Sequence, residues 1–346
     1  MSKETHTMLN VGLIGYGNMA RSHGQLLDKH EGVRLVAVAD ARPERREMAA
    51  ADHEGITLYE DGRDLIARES CQVIFVCCPT FLHTEMTIRA LEAGRDVFCE
   101  KPMGLSVDQC DQMIEAERRT GRTLMIGQVL RFWPEYVYLK DTLDSGRLGK
   151  LNALSMMRVG GVSVGWDNWY LDEERGGMQI FDRHIHDTDA ILWMLGKPQA
   201  VQAFGVSRDP RTEGGIYHSF TQYLFPDVIV NAEGSADAPK GFPFTARYRA
   251  AFENGVLDFD STRQTTLMEY ANGEARAAEL PKPMEALTSG LNISASSPYY
   301  NEQVYFFGCL REGRRPTRVT PADARETIRV IKAEIESARS GRPVEL

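Results

Sequence analysis

From Asn10 to about Val129, short apolar runs alternate with helical patterns. Residues 11–14, 35–39, 56–59, 73–78, 96–99 and 123–129 read as strands with few polar interruptions, as buried parallel strands do. The segments between them carry legible helix ends. Pro43 suits a first turn, Asp61 a cap, and Ser106 a cap with Gln109 three residues on; Gly121 closes the helix that Ser106 opens. Strand alternating with helix predicts a doubly wound parallel sheet, hence an α/β protein with a Rossmann domain over 1–129.

Beyond residue 130 the pattern changes. After a helix over 134–145, residues 151–159, 200–206, 217–225, 228–234, 244–252, 256–259 and 265–270 read as strands joined by short Gly, Asn and Asp turns. Glu253-Asn254-Gly255 is the clearest hairpin signal. This predicts a second α/β domain over 130–346, built on an open, largely antiparallel sheet. One face of such a sheet takes helices and the other is left for a partner subunit, so a homodimer or homotetramer is expected. The tail returns to helix over 298–313 and 321–340, which are expected to pack back on the first domain. Residues 271–297 are the least regular and predict a mobile loop or arm.

Chemistry concentrates at strand ends. Gly15-Tyr16-Gly17-Asn18-Met19-Ala20 follows the first strand and opens a helix. Gly15 turns the chain, Gly17 admits a pyrophosphate to the backbone, and small Ala20 lets helix pack on strand. The helix N-terminus adds free N–H groups and the positive end of its dipole. A tight turn alone also wants glycine, but Asp40 ends the second strand, where an acid holds a ribose diol. Asp40 favours NAD, and Arg42 beside it leaves NADP possible. Glu100-Lys101-Pro102 ends another apolar run, so Lys101 falls on the sheet edge where ligands bind, with Pro102 restricting its backbone. A solvated turn lysine is the alternative.

The densest cluster is Asp182-Arg183-His184-Ile185-His186-Asp187-Thr188-Asp189, after Gly176-Gly177, which would let backbone approach a ligand. If it is helical through Leu195, then Asp182, His186, Asp189 and Trp193 share a side facing a cleft, beside a stripe of Ile185, Leu192 and Leu195. Acid/base catalysis, a metal site of N and O ligands and a capped structural helix are the three readings. No cysteine set accompanies the cluster and its spacing is not His-x-x-x-His, so catalysis by Asp182 and His186 without a metal is expected. His184 points elsewhere on the helix, which predicts a core or supporting role.

Composition narrows the classes. A chain of 346 residues exceeds one ordinary core, and 42% hydrophobic with 26% charged residues is a globular balance. A net charge of −9 argues against a nucleic-acid partner. No apolar stretch approaches the ~20 residues of a membrane span, and the polar start predicts a cytoplasmic protein without membrane partners. Six cysteines without zinc spacing fit buried thiols in a reducing compartment. Asn292-Ile293-Ser294 matches a glycosylation acceptor, which means nothing without secretion.

Taken in order, the glycine loop, Asp40, Pro79-Thr80 with His83, Glu100-Lys101-Pro102, Gly127 leading to Arg131-Phe132, the Gly176-Gly177 to Asp182 and His186 unit, and Ser337-Ala338-Arg339-Ser340-Gly341-Arg342 resemble the Gfo/Idh/MocA family of NAD(P)-dependent oxidoreductases. The resemblance covers nearly the whole chain. It implies cofactor contacts from the glycine loop, Pro79, Thr80, His83 and Glu100, dimers or tetramers through the second sheet, and oxidation or reduction of a sugar, inositol or related polyol. By position, Lys101, Asp182 and His186 resemble the family's catalytic residues. His184 departs from the small or apolar residue many relatives carry there, leaving a supporting effect open.

The residue types suit that chemistry. Hydride leaves an alcohol carbon as the hydroxyl proton goes to a base such as His186, while Lys101 stabilises the developing alkoxide. Asp182 would bind a neighbouring hydroxyl or orient the imidazole. Trp133, Trp166, Trp169 and Tyr170 are core or sugar-stacking residues, with Trp166 taken as a substrate contact. Arg131 is a substrate contact or a structural ion-pair partner. Two other classes stay open: an NAD-dependent glycosidase or lyase working through transient oxidation, and a non-catalytic cofactor-sensing regulator, which would have no need of all three catalytic residues.

Overall fold

The computed structural model describes residues 8–207, 215–282 and 297–346. The chain forms two compact units, Met1–Val129 with Pro283–Arg325 and Leu130–Lys282 with Glu326–Leu346. In the first, β1 (Leu9–Ile14), β2 (Val33–Ala39), β3 (Thr57–Tyr59), β4 (Val73–Val76), β5 (Asp96–Glu100) and β6 (Leu124–Gly127) form a six-stranded sheet in the order β3-β2-β1-β4-β5-β6. Every pairing in it is parallel. The connecting helices are α1 (Asn18–Leu27), α2 (Pro43–Asp52), α3 (Gly62–Arg68), α4 (His83–Glu92) and α5 (Val107–Thr120).

The expected helix ends are in place. The Asp61 carboxylate accepts from the Arg63 amide, Ser106 accepts from the Gln109 amide, and Gly121 takes a left-handed φ of 68° after α5. A later helix, α9 (Ser297–Arg311), completes this unit. Its Phe306 and Phe307 rings lie 6.1 and 6.0 Å from the Phe75 ring in β4, which stacks on Phe98 of β5 at 4.6 Å.

The second unit holds α6 (Pro134–Ser145), β7 (Leu151–Val159), a 3-10 turn (Trp166–Leu171), α7 (Glu173–Gly176), a π-turn (Ile180–His184) and α8 (Ile185–Leu195). Then come β8 (Ala200–Val206), β9 (His218–Leu224), β10 (Ile229–Ser235), β11 (Thr245–Phe252), β12 (Gly255–Asp260), β13 (Leu267–Ala271) and β14 (Glu274–Ala277). Helix α10 (Pro321–Ser340) lies mostly in this unit, and β15 (Val344–Glu345) ends it. The nine-stranded sheet runs β14-β13-β12-β11-β7-β10-β9-β8-β15, antiparallel but for the β7–β10 pair, as the open-sheet reading expects.

Strands β14 and β15 went unread. The first is Glu-Ala-Arg-Ala, exposed throughout and without an apolar face, and the second has two residues. The loop or arm expected over 271–297 is thus a strand in part, while 283–296, with the Asn292-Ile293-Ser294 match, lies outside the described residues. One sheet face carries exposed apolar groups: Phe204 (60% exposed) pairs in register with Phe220 (54%), beside Val206 and Ile229.

Candidate active site

The first unit gathers the expected cofactor residues at the carboxyl ends of its strands. Gly15 has φ +87°, and a Cβ there would lie 2.7 Å from the Cys77 carbonyl oxygen and 2.8 Å from Cys78 Cα, so only glycine fits where β1 closes on β4. At Gly17 a Cβ would meet nothing within 4 Å: the loop faces open space on that side. Helix α1 starts at Asn18 with no side-chain cap and no acid in its first turn, so no carboxylate there competes for an anion. Asn18 is exposed, Met19 half-buried and Ala20 buried. These features fit a dinucleotide pyrophosphate.

Tyr16 faces the other way. Its side chain is fully buried, with the hydroxyl donating to Asp52 at 2.9 Å, and its amide donates to Asp40 Oδ2 at 2.7 Å. Burial first, then the Asp52 hydrogen bond and charge, push its phenol pKa far up. Tyr16 therefore ties the glycine loop to β2, and only its backbone lines the cradle. Asp40 also accepts from the Arg42 amide (3.0 Å), Nε (3.1 Å) and Nη2 (3.2 Å). With Tyr16 that makes four donors, which fill the roughly four acceptor positions of a carboxylate.

Lys101, half-buried, follows β5 directly. Its amide donates to Oε2 of buried Glu100 at 3.0 Å, and Glu100 Oε1 lies 2.7 Å from His23 Nε2 on α1. Gln303 of α9 holds the other nitrogen of His23, at 2.9 Å. Glu100 thus braces the Lys101 segment rather than facing outward. His83 does similar work, with Nδ1 2.7 Å from the Pro102 carbonyl and Nε2 2.9 Å from that of Cys78. Burial lowers its pKa, so the neutral ring donates to one of the two carbonyls. Pro79 is half-buried and Thr80 buried beside it.

In the second unit the 182–189 cluster separates into two sets. Arg158 on β7 grips Asp187 through two contacts of 2.9 and 3.0 Å, and Arg131 grips Asp189 at 2.9 and 2.8 Å, with Thr327 adding 3.2 Å. His184 Nε2 lies 3.0 Å from Glu334 Oε2 on α10. All six of these ion-pair residues are at most 3% exposed. Asp182, in the π-turn, and His186, in the first turn of α8, stay half-buried. Buried partners hold His184, Asp187 and Asp189, while the two expected catalytic groups are half-buried.

Several expectations change here. Asp189 does not share the half-buried position of Asp182 and His186, because it is buried in an ion pair with Arg131. Of the two readings of Arg131, the geometry is that of the structural ion pair. Helix α8 buries Ile185, Ile191 and Met194, while Leu192 and Leu195 are half-buried, since the paired acids widen its buried face. Gly176 and Gly177 serve packing: a Cβ would come within 2.6 Å of the Trp169 carbonyl oxygen and of Phe181 Cγ. Trp133 and Trp169 are buried, Trp169 stacking on Tyr170 at 3.7 Å, whereas Trp166 is 50% exposed.

Asp167, Asn168 and Met178 hold left-handed φ values of 52°, 52° and 67° near the π-turn, each costing roughly 1–2 kcal/mol. Among the described residues, no ligand group for a metal converges within 182–189; the one group that does converge is His23, Glu100 and Glu302, all buried. The partners His23, Gln303, Arg158 and Glu334 were missed from sequence. Arg158 was readable: it occupies the inward register of β7 with Leu154 and Met156, where a buried arginine demands a buried acid.

A glycine cradle at the ends of a parallel sheet and an Asp/His pair on a second, sheet-based unit define a nucleotide-dependent oxidoreductase. Residues 9–128 match the family described as an oxidoreductase family with an NAD-binding Rossmann fold, and residues 136–258 match the GFO/IDH/MocA C-terminal domain. The chain belongs to the Gfo/Idh/MocA family, and NAD is its cofactor.

Inositol 2-dehydrogenase 2 of Saccharopolyspora erythraea is 34% identical over 242 residues, covering 68% of each chain. A 2,7-anhydro-N-acetylneuraminate hydratase of Mediterraneibacter gnavus is 31% identical over 207 residues, 57% of this chain and 53% of that one. A levoglucosan dehydrogenase, solved with NADH and levoglucosan, shares the fold with a TM-score of 0.86 at 21% identity over 98% of this chain and 99% of its own.

Proposed function

We propose that the protein transfers hydride between NAD and a secondary hydroxyl or ketone of a sugar, inositol or related polyol. The observation that carries this reading is the separation within 182–189: His184, Asp187 and Asp189 are held in buried ion pairs, while Asp182 and His186 are only half-buried. The similarity to inositol 2-dehydrogenase 2 supports the substrate class.

NAD, held by the first unit, would supply the hydride acceptor or donor. His186 accepts the hydroxyl proton, Lys101 donates a hydrogen bond to the oxygen as negative charge develops, and Asp182 holds a neighbouring hydroxyl or orients the imidazole. Gly15 to Met19 hold the pyrophosphate and Asp40 the ribose, with Pro79 and Thr80 alongside. Exposed Trp166 offers an aromatic face to the C–H face of a sugar ring. Arg131 acts through Asp189, by fixing α8.

The protein is read as a homodimer or homotetramer joined through the exposed apolar sheet face, and its six unpaired cysteines fit the reducing cytoplasm. No helix among the described residues is long and apolar enough to cross a membrane.

A panel of inositols, aldoses and glucosides, each with NAD and with NADP, tests the reading by absorbance of the reduced nicotinamide. Stoichiometric NADH with at least one polyol, and faster turnover with NAD than with NADP, is expected. A dehydrated or cleaved product without net NADH would replace it with the lyase reading, to which the hydratase relative belongs by name.

A further inference from the structure

Resting on that reading, we propose that His184 and Glu334 are positioning residues for the active site: their buried contact holds the π-turn Ile180–His184, and the π-turn sets the direction of Asp182 relative to His186. A π-turn carries one residue more than the α-helical turn it replaces. Each residue of an α-helix advances about 100°, so relaxing the turn to α would swing Asp182 round the axis while His186 stayed with α8. π-turns are rare, and this one needs something to hold it.

The holding contacts come from three elements. The His184 ring lies against β10 at Gly234, where a Cβ would stand 2.5 Å from Nδ1 and 2.9 Å from Cγ; the sheet has room for the imidazole because that position has no side chain. Glu334 of α10 is fully buried and accepts, besides His184, the hydroxyls of Tyr223 (2.9 Å), Thr188 (3.0 Å) and Thr221 (3.3 Å). The carboxylate is therefore fixed by β9 and α8 before it meets the imidazole. Burial lowers the His184 pKa, the Glu334 charge and hydrogen bond outweigh it, and the net shift is upward, in favour of an ion pair. On the other side of the turn, Arg183 donates to the Gly161 carbonyl at 2.9 Å.

A buried ion pair is poor value as a source of stability, since well-packed apolar residues replace such pairs at little or no cost. What an apolar pair does not supply is direction. An imidazole hydrogen-bonded to a carboxylate that is itself hydrogen-bonded three times has one orientation, and it transmits that orientation to the turn.

The test uses the full-length protein with NAD and its best polyol: wild type, Glu334→Gln, His184→Leu, Glu334→Leu, and the double variant His184→Leu/Glu334→Leu. Melting temperature, NADH dissociation constant, KM and kcat are measured for each, with crystal structures of wild type and of the double variant. The single leucine variants should lose stability, because each leaves one buried group unpaired. The double variant should regain most of the melting temperature and bind NADH normally, yet keep a kcat at least about tenfold low, as a misplaced catalytic group does. Glu334→Gln, nearly isosteric, should show the same loss of kcat with NADH affinity unchanged.

Recovery of kcat together with melting temperature in the double variant, or wild-type kcat in Glu334→Gln, overturns the proposal. So does an unaltered π-turn in the double-variant crystal. That last readout is independent of turnover, and absence of wild-type turnover across the panel counts against the oxidoreductase reading instead.

Discussion

Lys101 shows what a single residue's position discloses. It was legible because an apolar run ends beside it and a proline follows, two local signals that place an ammonium at a strand end. Gly15, Gly17, Asp40, Asp182 and His186 were legible in the same way, from neighbours in the chain. Their partners were not, because the Arg131 that buries Asp189, the Glu334 that grips His184 and the Gln303 that holds His23 lie far away in sequence. A hydrogen bond between different elements leaves little trace in the sequence unless, as at Arg158, a charge falls at an inward strand position. At this scale Lys101→Ala should lower kcat by ~10²-fold or more with little change in NADH affinity, because the hydrogen bond proposed for it strengthens as alkoxide develops. Lys101→Arg should not restore turnover, since a planar fork does not replace a compact ammonium. Steady-state kinetics and NADH titration of both variants check this, and wild-type kcat in either removes Lys101 from the reaction.

Elements were read well wherever an apolar period met a cap: α6 and α10 begin and end where the pattern put them. The π-turn was not read, because an inserted residue leaves composition and periodicity almost untouched. Strand β13 offers a prediction at this scale. Its Glu269 accepts from Arg147 (2.9 and 2.5 Å), Arg276 (3.2 and 2.7 Å) and Tyr138 (2.8 Å), joining α6, the segment after it and β14 to one carboxylate.

The Arg147 hydrogen bonds, then those of Arg276 and Tyr138, overcome burial and draw its pKa from 4.5 to about 2. A carboxyl depressed on folding contributes stability above its unfolded pKa, and that contribution fades as pH falls through the folded value. Glu269→Gln should therefore melt below wild type at pH 7, with the gap closing between about pH 4.5 and 2. A gap that persists unchanged at pH 2 in thermal melts would show that packing, not charge, holds this edge.

Across the whole molecule, the exposed Phe204, Val206, Phe220 and Ile229 mark the face proposed to meet another subunit. Phe220→Glu should convert the oligomer to monomer in light scattering at micromolar concentration while leaving the fold intact by circular dichroism; a wild type that is already monomeric at that concentration ends the proposal. The alternation that announced the sheet also announced this face, since every second residue of β8 and β9 had to point away from the helices.

The first unit is also discontinuous in the chain, and this has a consequence for how the protein is made. When residue 129 leaves the ribosome, all six parallel strands exist, but α9, which lays Phe306 and Phe307 over Phe75 and hydrogen-bonds His23 through Gln303, does not. At ~5–20 residues per second, the aromatic flank of the sheet waits on the order of 10 s or more while the second unit is synthesised. The part of the protein that is translated first thus waits for a helix translated near the end of the chain, and through that interval its uncovered rings are a surface for a chaperone to shield.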